Sequence, residues 1–245
     1  MLKVNIDNIT ICNNHTKHLL LKNVNFELLK GKVYTILGKN GTGKSTLIKS
    51  LTGLLNKNIF QTNGTVLFED ENILTCDAET LQQVRFNKIR YVFQDAVNSF
   101  DPLKTFQYYF KNSFAPRDQI NELLNYFLLP DYNHISQLYP YEVSGGMAQR
   151  LSIVLAFIAN PQLLILDEPT SNIDYAISNL LLLKLMELTK EDRTVLLVTQ
   201  DINFAGKASD EISLISDGTI SAFKSKTDFF AQQDVDLLNS IDELQ

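Results

Sequence analysis

Cysteine is nearly missing from this chain: Cys12 and Cys76 are the only two in 245 residues, far apart and in no metal-ligand spacing. That argues against a disulfide scaffold or a zinc module, and the expectation is a reduced, cytosolic protein. No secretory leader is expected either, because Met1-Leu2-Lys3-Val4-Asn5-Ile6-Asp7 alternates like a strand and has no apolar core. No apolar run is fit to span a bilayer. The longest, residues 151–159 and the Leu-rich segment around 180–188, are too short or too interrupted. Work at a membrane would therefore need another chain to supply the spanning helices. Positive charge is not in excess either: a net charge of −6 gives no general attraction to nucleic acid or anionic lipid. Internal repeats and low-complexity linkers are absent.

What is present is a chain able to fill a core, with 44% hydrophobic residues and enough length for one large α/β domain or two small lobes. Residues 2–10 and 24–28 alternate as strands, Lys30-Gly31-Lys32 reads as a turn, and Val33-Tyr34-Thr35-Ile36-Leu37 is a short apolar run of buried-strand type. A glycine-rich loop follows at once, then a helix over 45–55. Thr62-Asn63-Gly64 reads as a turn before a strand at 65–68, and 89–93 as a further strand. From residue 95 to about 159 aromatic, leucine and polar residues, with breaks at Pro102, Pro116, Pro130 and Pro140, suggest short helices. Buried strands at 163–166, 194–199 and 212–215 and a helix at 177–189 complete the pattern, and the tail after Asp228 reads as polar, acidic and helical. Strands alternating with helices imply a mainly parallel sheet.

The glycine-rich loop is Gly38-Lys39-Asn40-Gly41-Thr42-Gly43-Lys44-Ser45, followed by Thr46. Strand, loop and helix in that order form a phosphate cradle: glycines bring backbone N–H groups close, the helix N-terminus favours an anion, Lys44 reaches the β- and γ-phosphates and Ser45 can ligate Mg²⁺. Asp167 and Glu168 end a buried strand, where ligands bind in open α/β sheets. In that position Asp167 suits Mg²⁺ and Glu168 suits a general base for water. Ser144-Gly145-Gly146-Met147 precedes a helical run, with Ser144 as a candidate N-cap.

Val143-Ser144-Gly145-Gly146-Met147 resembles the signature loop of ATP-binding cassette (ABC) ATPases, usually Leu-Ser-Gly-Gly-Gln. The order of phosphate loop, Gln94, signature, Asp167-Glu168 and then Ser171-Asn172-Ile173-Asp174, which resembles the D-loop, is the family order. The resemblance implies a P-loop NTPase fold of the α/β class: an ABC-type nucleotide-binding domain with a mixed sheet core, an antiparallel β subdomain and an inserted helical subdomain. It implies a single domain over 1–245, with 1–94 and 160–230 as the catalytic lobe, 95–159 as the helical subdomain and 231–245 as a C-terminal tail. It also implies ATP and Mg²⁺ as ligands: Gln94 as γ-phosphate and Mg²⁺ sensor, Ser45, Gln94 and Asp167 around the metal, and the signature serving the nucleotide of an opposite subunit.

Ser-Gly-Gly-Met-x-Gln-Arg, and Phe93-Gln94-Asp95-Ala96-Val97-Asn98-Ser99-Phe100-Asp101-Pro102, resemble the subgroup that powers oligopeptide, dipeptide and nickel importers. The chain resembles the shorter nickel- or metallophore-type members rather than the many longer peptide-importer ATPases that carry a Cys-bearing C-terminal extension. The implied protein is a peripheral subunit on the cytoplasmic face of the cell membrane. It would work with two transmembrane permease subunits, an extracytoplasmic solute-binding protein and a second ABC ATPase, a heterodimer being favoured and a homodimer possible. Gln94 to Leu129 would form the groove for a permease helix. Phe106, Tyr108, Tyr109 and Phe110 would line that groove or pack the helical core. An exporter ATPase is the alternative; a non-transport ABC ATPase, and with it a nucleic-acid partner, is disfavoured by the acidic balance and the missing coiled-coil, zinc or basic-linker insertions.

Two departures from the family matter. No Phe, Tyr or Trp occurs in residues 10–17, where the family usually stacks adenine; His15 is the nearest planar side chain, and a solvated loop histidine is its other reading. Gln200 stands where the switch histidine is expected. Glutamine can donate a hydrogen bond to a γ-phosphate but carries no positive charge. Because one lost donor to developing charge costs on the order of 10²–10³ in rate, the chain's own site is expected to hydrolyse slowly. Gln200→His should raise turnover at this site by about 10- to 10²-fold; unchanged turnover would sink the idea.

Overall fold

The computed structural model describes residues 1–13 and 16–232. In chain order the elements are β1 (Leu2–Asn13), β2 (Thr16–Leu28), β3 (Val33–Leu37), α1 (Lys44–Leu51), β4 (Phe60–Phe68), β5 (Glu71–Asn72), α2 (Ala78–Asn87) and β6 (Ile89–Val92). Four helices follow, α3 (Phe106–Asn112), α4 (Arg117–Tyr126), α5 (Tyr132–Ile135) and α6 (Gly145–Ile158). Then come β7 (Leu163–Asp167), α7 (Tyr175–Lys190), β8 (Thr194–Thr199), α8 (Ile202–Ala208), β9 (Glu211–Ser216), β10 (Thr219–Ile220), β11 (Lys224–Ser225) and α9 (Lys226–Gln232).

The strands form two sheets. One is antiparallel, in the order β2-β1-β4-β5; the other runs β10-β9-β3-β8-β7-β6, with β11 also on β9. Within the second, β9, β3, β8, β7 and β6 are parallel, and β10 and β11 pair antiparallel with β9. The five residues of β3 and of β7 and the six of β8 are all buried, which is why they read as unbroken apolar runs. Alternate side chains feed two cores. Tyr34, Ile36, Ile165 and Val198 face α1 and the antiparallel sheet, while Val33, Leu164, Leu166 and Leu197 face α6 and α7. This stacking brings the C-terminal ends of β3, β8 and β7 side by side.

The helices between β6 and β7 obey the proline breaks: Pro116 caps α4, and Pro140 opens a short 3₁₀ turn. Phe106 and Phe110 are fully buried on the inner side of α3 and belong to the core rather than to a groove. Tyr108 is exposed, and Tyr109 is half-buried against Phe100.

The turn expected at Thr62-Asn63-Gly64 is instead the middle of β4. In β1 the buried positions run Leu2, Val4, Ile6 and then Ile9, and a register shift between Ile6 and Asn8 against β4 absorbs the change of parity. Gly64 sits opposite Ile6 at φ 124°, and a Cβ there would lie 2.2 Å from the Asn5 carbonyl oxygen. The glycine marks a bulge, not a reversal. Helices α2 and α8 and the first half of β2 went unread, for one reason: α2 buries only Val84, α8 is 7 residues long, and β2 exposes its first four residues. Apolar periodicity is too faint there to show. Gly64→Ala should destabilise the chain by about 2 kcal/mol or more, lowering the melting temperature by about 4–8 °C, whereas Thr65→Ala on the exposed side of the same strand should change it little.

Candidate active site at the edge of the parallel sheet

The glycine-rich loop leaves β3 between β9 and β8 and turns into α1. Gly38 fits because a Cβ would meet the Ile215 backbone oxygen at 2.8 Å and its side chain at 2.5 Å. Gly41 and Gly43 hold φ of 81° and 97°, the left-handed region that glycine tolerates. Gly43 is also the N-cap of α1 and supplies no side-chain acceptor, so the first N–H groups of the helix stay free for an anion. Thr42 Oγ1 donates to the Lys39 carbonyl at 2.9 Å and steadies the loop.

Lys44, only 5% exposed, folds back into the loop. Its Nζ donates to the carbonyl oxygens of Gly38 at 2.7 Å and Lys39 at 2.9 Å, and lies 3.1 Å from Glu168 Oε1. Glu168, 6% exposed and at a positive φ of 46°, begins the turn after β7. Its Oε2 accepts hydrogen bonds from Thr199 Oγ1 at 3.0 Å and from the backbone N–H of Gln200 at 3.1 Å. The ends of three adjacent strands thus meet in one buried cluster.

Asp167 is the last residue of β7. Ser45 Oγ donates to its Oδ1 at 3.2 Å, and Tyr91 Oη donates to its Oδ2 at 2.8 Å. Burial, reinforced by the Asp167 charge, pushes the Tyr91 hydroxyl far above the ordinary tyrosine range, so it remains a proton donor. Tyr91 was not singled out from the sequence. Its signal is faint: one tyrosine in the strand beside the carboxylate, in register with Ile165.

A cleft of ≈ 270 Å³ opens over this cluster, lined by Asn40, Gly41, Gly43, Lys44, Ser45, Thr46, Gln94 and Glu168, with Ile11, Leu20 and Phe60 at its apolar side. The signature residues line no part of it. Ser144 caps α6 by accepting from the Met147 N–H at 3.2 Å, while Ser144 and Gly145 face solvent. Gly146 is needed for close approach: a Cβ would lie 2.8 Å from the carbonyl oxygen of Asn172, in the segment before α7. Asp174 caps α7. Gln200 is half-buried at the end of β8. His15 lies outside the described residues.

Comparison with known proteins points to one family. The ABC transporter family model matches residues 21–171. The chain is 28% identical over 207 residues to the oligopeptide transport ATP-binding protein OppD of Lactococcus lactis, covering 80% of this chain and 61% of that protein, so it spans less than two thirds of that relative's length. It is 30% identical over 230 residues to the metal-staphylopine import system ATP-binding protein CntD of Staphylococcus aureus, covering 90% and 84%. Among solved structures, the ATP-binding cassette MJ0796 bound to ADP and Pi superposes with a TM-score of 0.78 at 26% identity, over 92% of this chain and 99% of that one.

Lys44 and Glu168 compensate each other in a buried setting, so removing one strands the other. Lys44→Met should cost about 3 kcal/mol or more of stability, a fall of about 6–12 °C in melting temperature. The double variant Lys44→Met/Glu168→Gln should recover much of that loss in a double-mutant cycle. Additive losses would mean that the pair is not coupled.

Proposed function

Because the chain belongs to the ABC transporter family, we propose that it is the ATP-binding and ATP-hydrolysing subunit of an importer, energising uptake of oligopeptides or of nickel or metal–metallophore complexes through partner permeases. The observation that carries the reading is the convergence of Lys44, Ser45, Asp167 and Glu168 beneath a glycine-rich loop, at the edge of three parallel strands.

In this reading the nucleotide's phosphates occupy the loop, with backbone N–H groups and Lys44 answering their charge. Ser45 and Asp167 offer a hydroxyl and a carboxylate, hard oxygen donors that already share a hydrogen bond, and they suit Mg²⁺. The ion, when bound, would neutralise phosphate charge. Glu168 is positioned as the base: it accepts a proton from water as the water oxygen bonds to the γ-phosphorus and the bond to the ADP oxygen breaks. Its second oxygen, held by Thr199 and Gln200, fixes the carboxylate's orientation. Gln94, exposed at the cleft, would contact the γ-phosphate side.

Solvent-facing Ser144 and Gly145 favour a head-to-tail pair in which this signature closes over a second ATPase's nucleotide, in a heterodimer or a homodimer. A cavity of ≈ 320 Å³ lined by Arg90, Phe93, Phe100, Tyr109 and Leu155 could receive a permease helix, which would be consistent with a subunit bound at the cytoplasmic face of the membrane. No helix among the described residues is long and apolar enough to cross a membrane, so the spanning helices would belong to the permeases. The resemblance to peptide and metal-staphylopine import ATPases is what favours those cargo classes, with an extracytoplasmic binding protein choosing the cargo.

Steady-state ATP hydrolysis tests the proposal. Glu168→Gln should lower turnover by about 10²- to 10⁴-fold while ATP binding persists; turnover equal to that of the unaltered chain would remove Glu168 from the reaction.

A further inference from the structure

We infer that Phe60 is the platform on which the base of the bound nucleotide stacks, supplied from β4 in place of the aromatic that residues 10–17 lack. The inference rests on the nucleotide reading above and names its base-recognising residue.

The lining of the cleft over the phosphate loop combines two chemistries. Lys44, Ser45, Gln94 and Glu168 are polar or charged and suited to phosphates, whereas Ile11, Leu20 and Phe60, all from the antiparallel sheet, are apolar. Phe60 is the only aromatic residue lining the cleft among the described residues. A flat apolar base needs such a face, because stacking on an aromatic ring tolerates any base but demands a ring.

Strand register explains how the ring arrives there. Phe60 pairs with Ile11 across β1 and β4. Directly opposed side chains lie about 5 Å apart, so a ring at position 60 can cover ground that an aromatic at the end of β1 would cover. By the two-residue alternation of β4, Phe60 shares its face with buried Val66 and Phe68, which turns it towards α1 and the loop. It is half-buried, anchored against the core and still accessible. A second cavity of ≈ 400 Å³ is also bordered by Phe60, with Leu55, Ile73 and Leu81. That space lets the ring be enlarged without overpacking.

The chain contains no tryptophan, so Phe60→Trp introduces a single indole reporter. In the full chain, ATP should change its fluorescence markedly and inorganic tripolyphosphate should not. Phe60→Ala should weaken ATP binding by about 10- to 10²-fold and leave tripolyphosphate binding unchanged. An unaltered ATP affinity in Phe60→Ala, equal responses of the indole to ATP and tripolyphosphate, or a loss of ATP affinity in His15→Ala with none in Phe60→Ala would each overturn the inference. A native chain that binds neither ATP nor tripolyphosphate would instead overturn the nucleotide reading itself.

Discussion

The buried pairing of Lys44 with Glu168 is the constraint around which the site is organised. Two charges taken out of water carry a desolvation cost that their attraction alone does not reliably offset. Here much of the remaining hydrogen-bonding capacity is met: Gly38 and Lys39 carbonyls accept from the ammonium, and Thr199 and the Gln200 backbone donate to Glu168 Oε2, which leaves Oε1, among the described residues, to the Lys44 ammonium alone. Such satisfaction requires the ends of β3, β8 and β7 to be neighbours, which is what the strand order provides. The pair is therefore better regarded as held by the fold than as holding it. Phosphates entering the loop would offer Lys44 a second set of anionic partners, so the lysine's allegiance can shift while Glu168 keeps the hydrogen bonds to its other oxygen.

Local strain follows from the same demand. Glu168 adopts a positive φ that non-glycine residues seldom take, immediately after a buried strand. The backbone turn is fixed by the Glu168 N–H donating to Val198 at 2.8 Å, so the carboxylate is aimed by main chain rather than by a side-chain choice. Gly38 shows the complementary device: no side chain, so that the loop can lie against β9. One residue accepts an unfavourable conformation and the other gives up its side chain, and both serve the same few ångströms of cleft.

The convergence of the glycine-rich loop with the carboxylates was legible because the chemistry proposed for them demands particular residues at fixed spacing: glycines where backbone must approach, Lys44 and Ser45 at the helix start, and an acidic pair closing an apolar strand. The parallel core strands were legible because burial on both faces leaves them uniformly apolar. Tyr91 and Phe60 were not, and the reason is shared. Each acts across a sheet on a residue distant in sequence, Asp167 for one and the loop cleft for the other, and register is set by tertiary pairing rather than by local pattern. Gly64 misled for a related reason: a glycine in a polar triplet signals a turn by composition, whereas here it relieves crowding against a strand more than fifty residues earlier. Phe106 and Phe110 illustrate the limit of composition in the helical segment, where an aromatic run divides between core and surface only once the helix phase is known.

On the proposed reading, the chain carries two half-sites on separate surfaces. The cleft holds Lys44, Asp167 and Glu168 for one nucleotide, while exposed Ser144 and Gly145 serve another. The departure at Gln200 lies in the first half only. In a homodimer every composite site would contain Gln200, and any loss of charge stabilisation would be felt at both. In a heterodimer the loss is confined to one site, and the other draws on Ser144-Gly145-Gly146 from this chain and on the partner's own catalytic residues. The presence of Ser144-Gly145-Gly146, with Ser144 capping α6 and Gly146 admitting the Asn172 backbone, therefore argues for a chain able to contribute in trans even where its contribution in cis is altered.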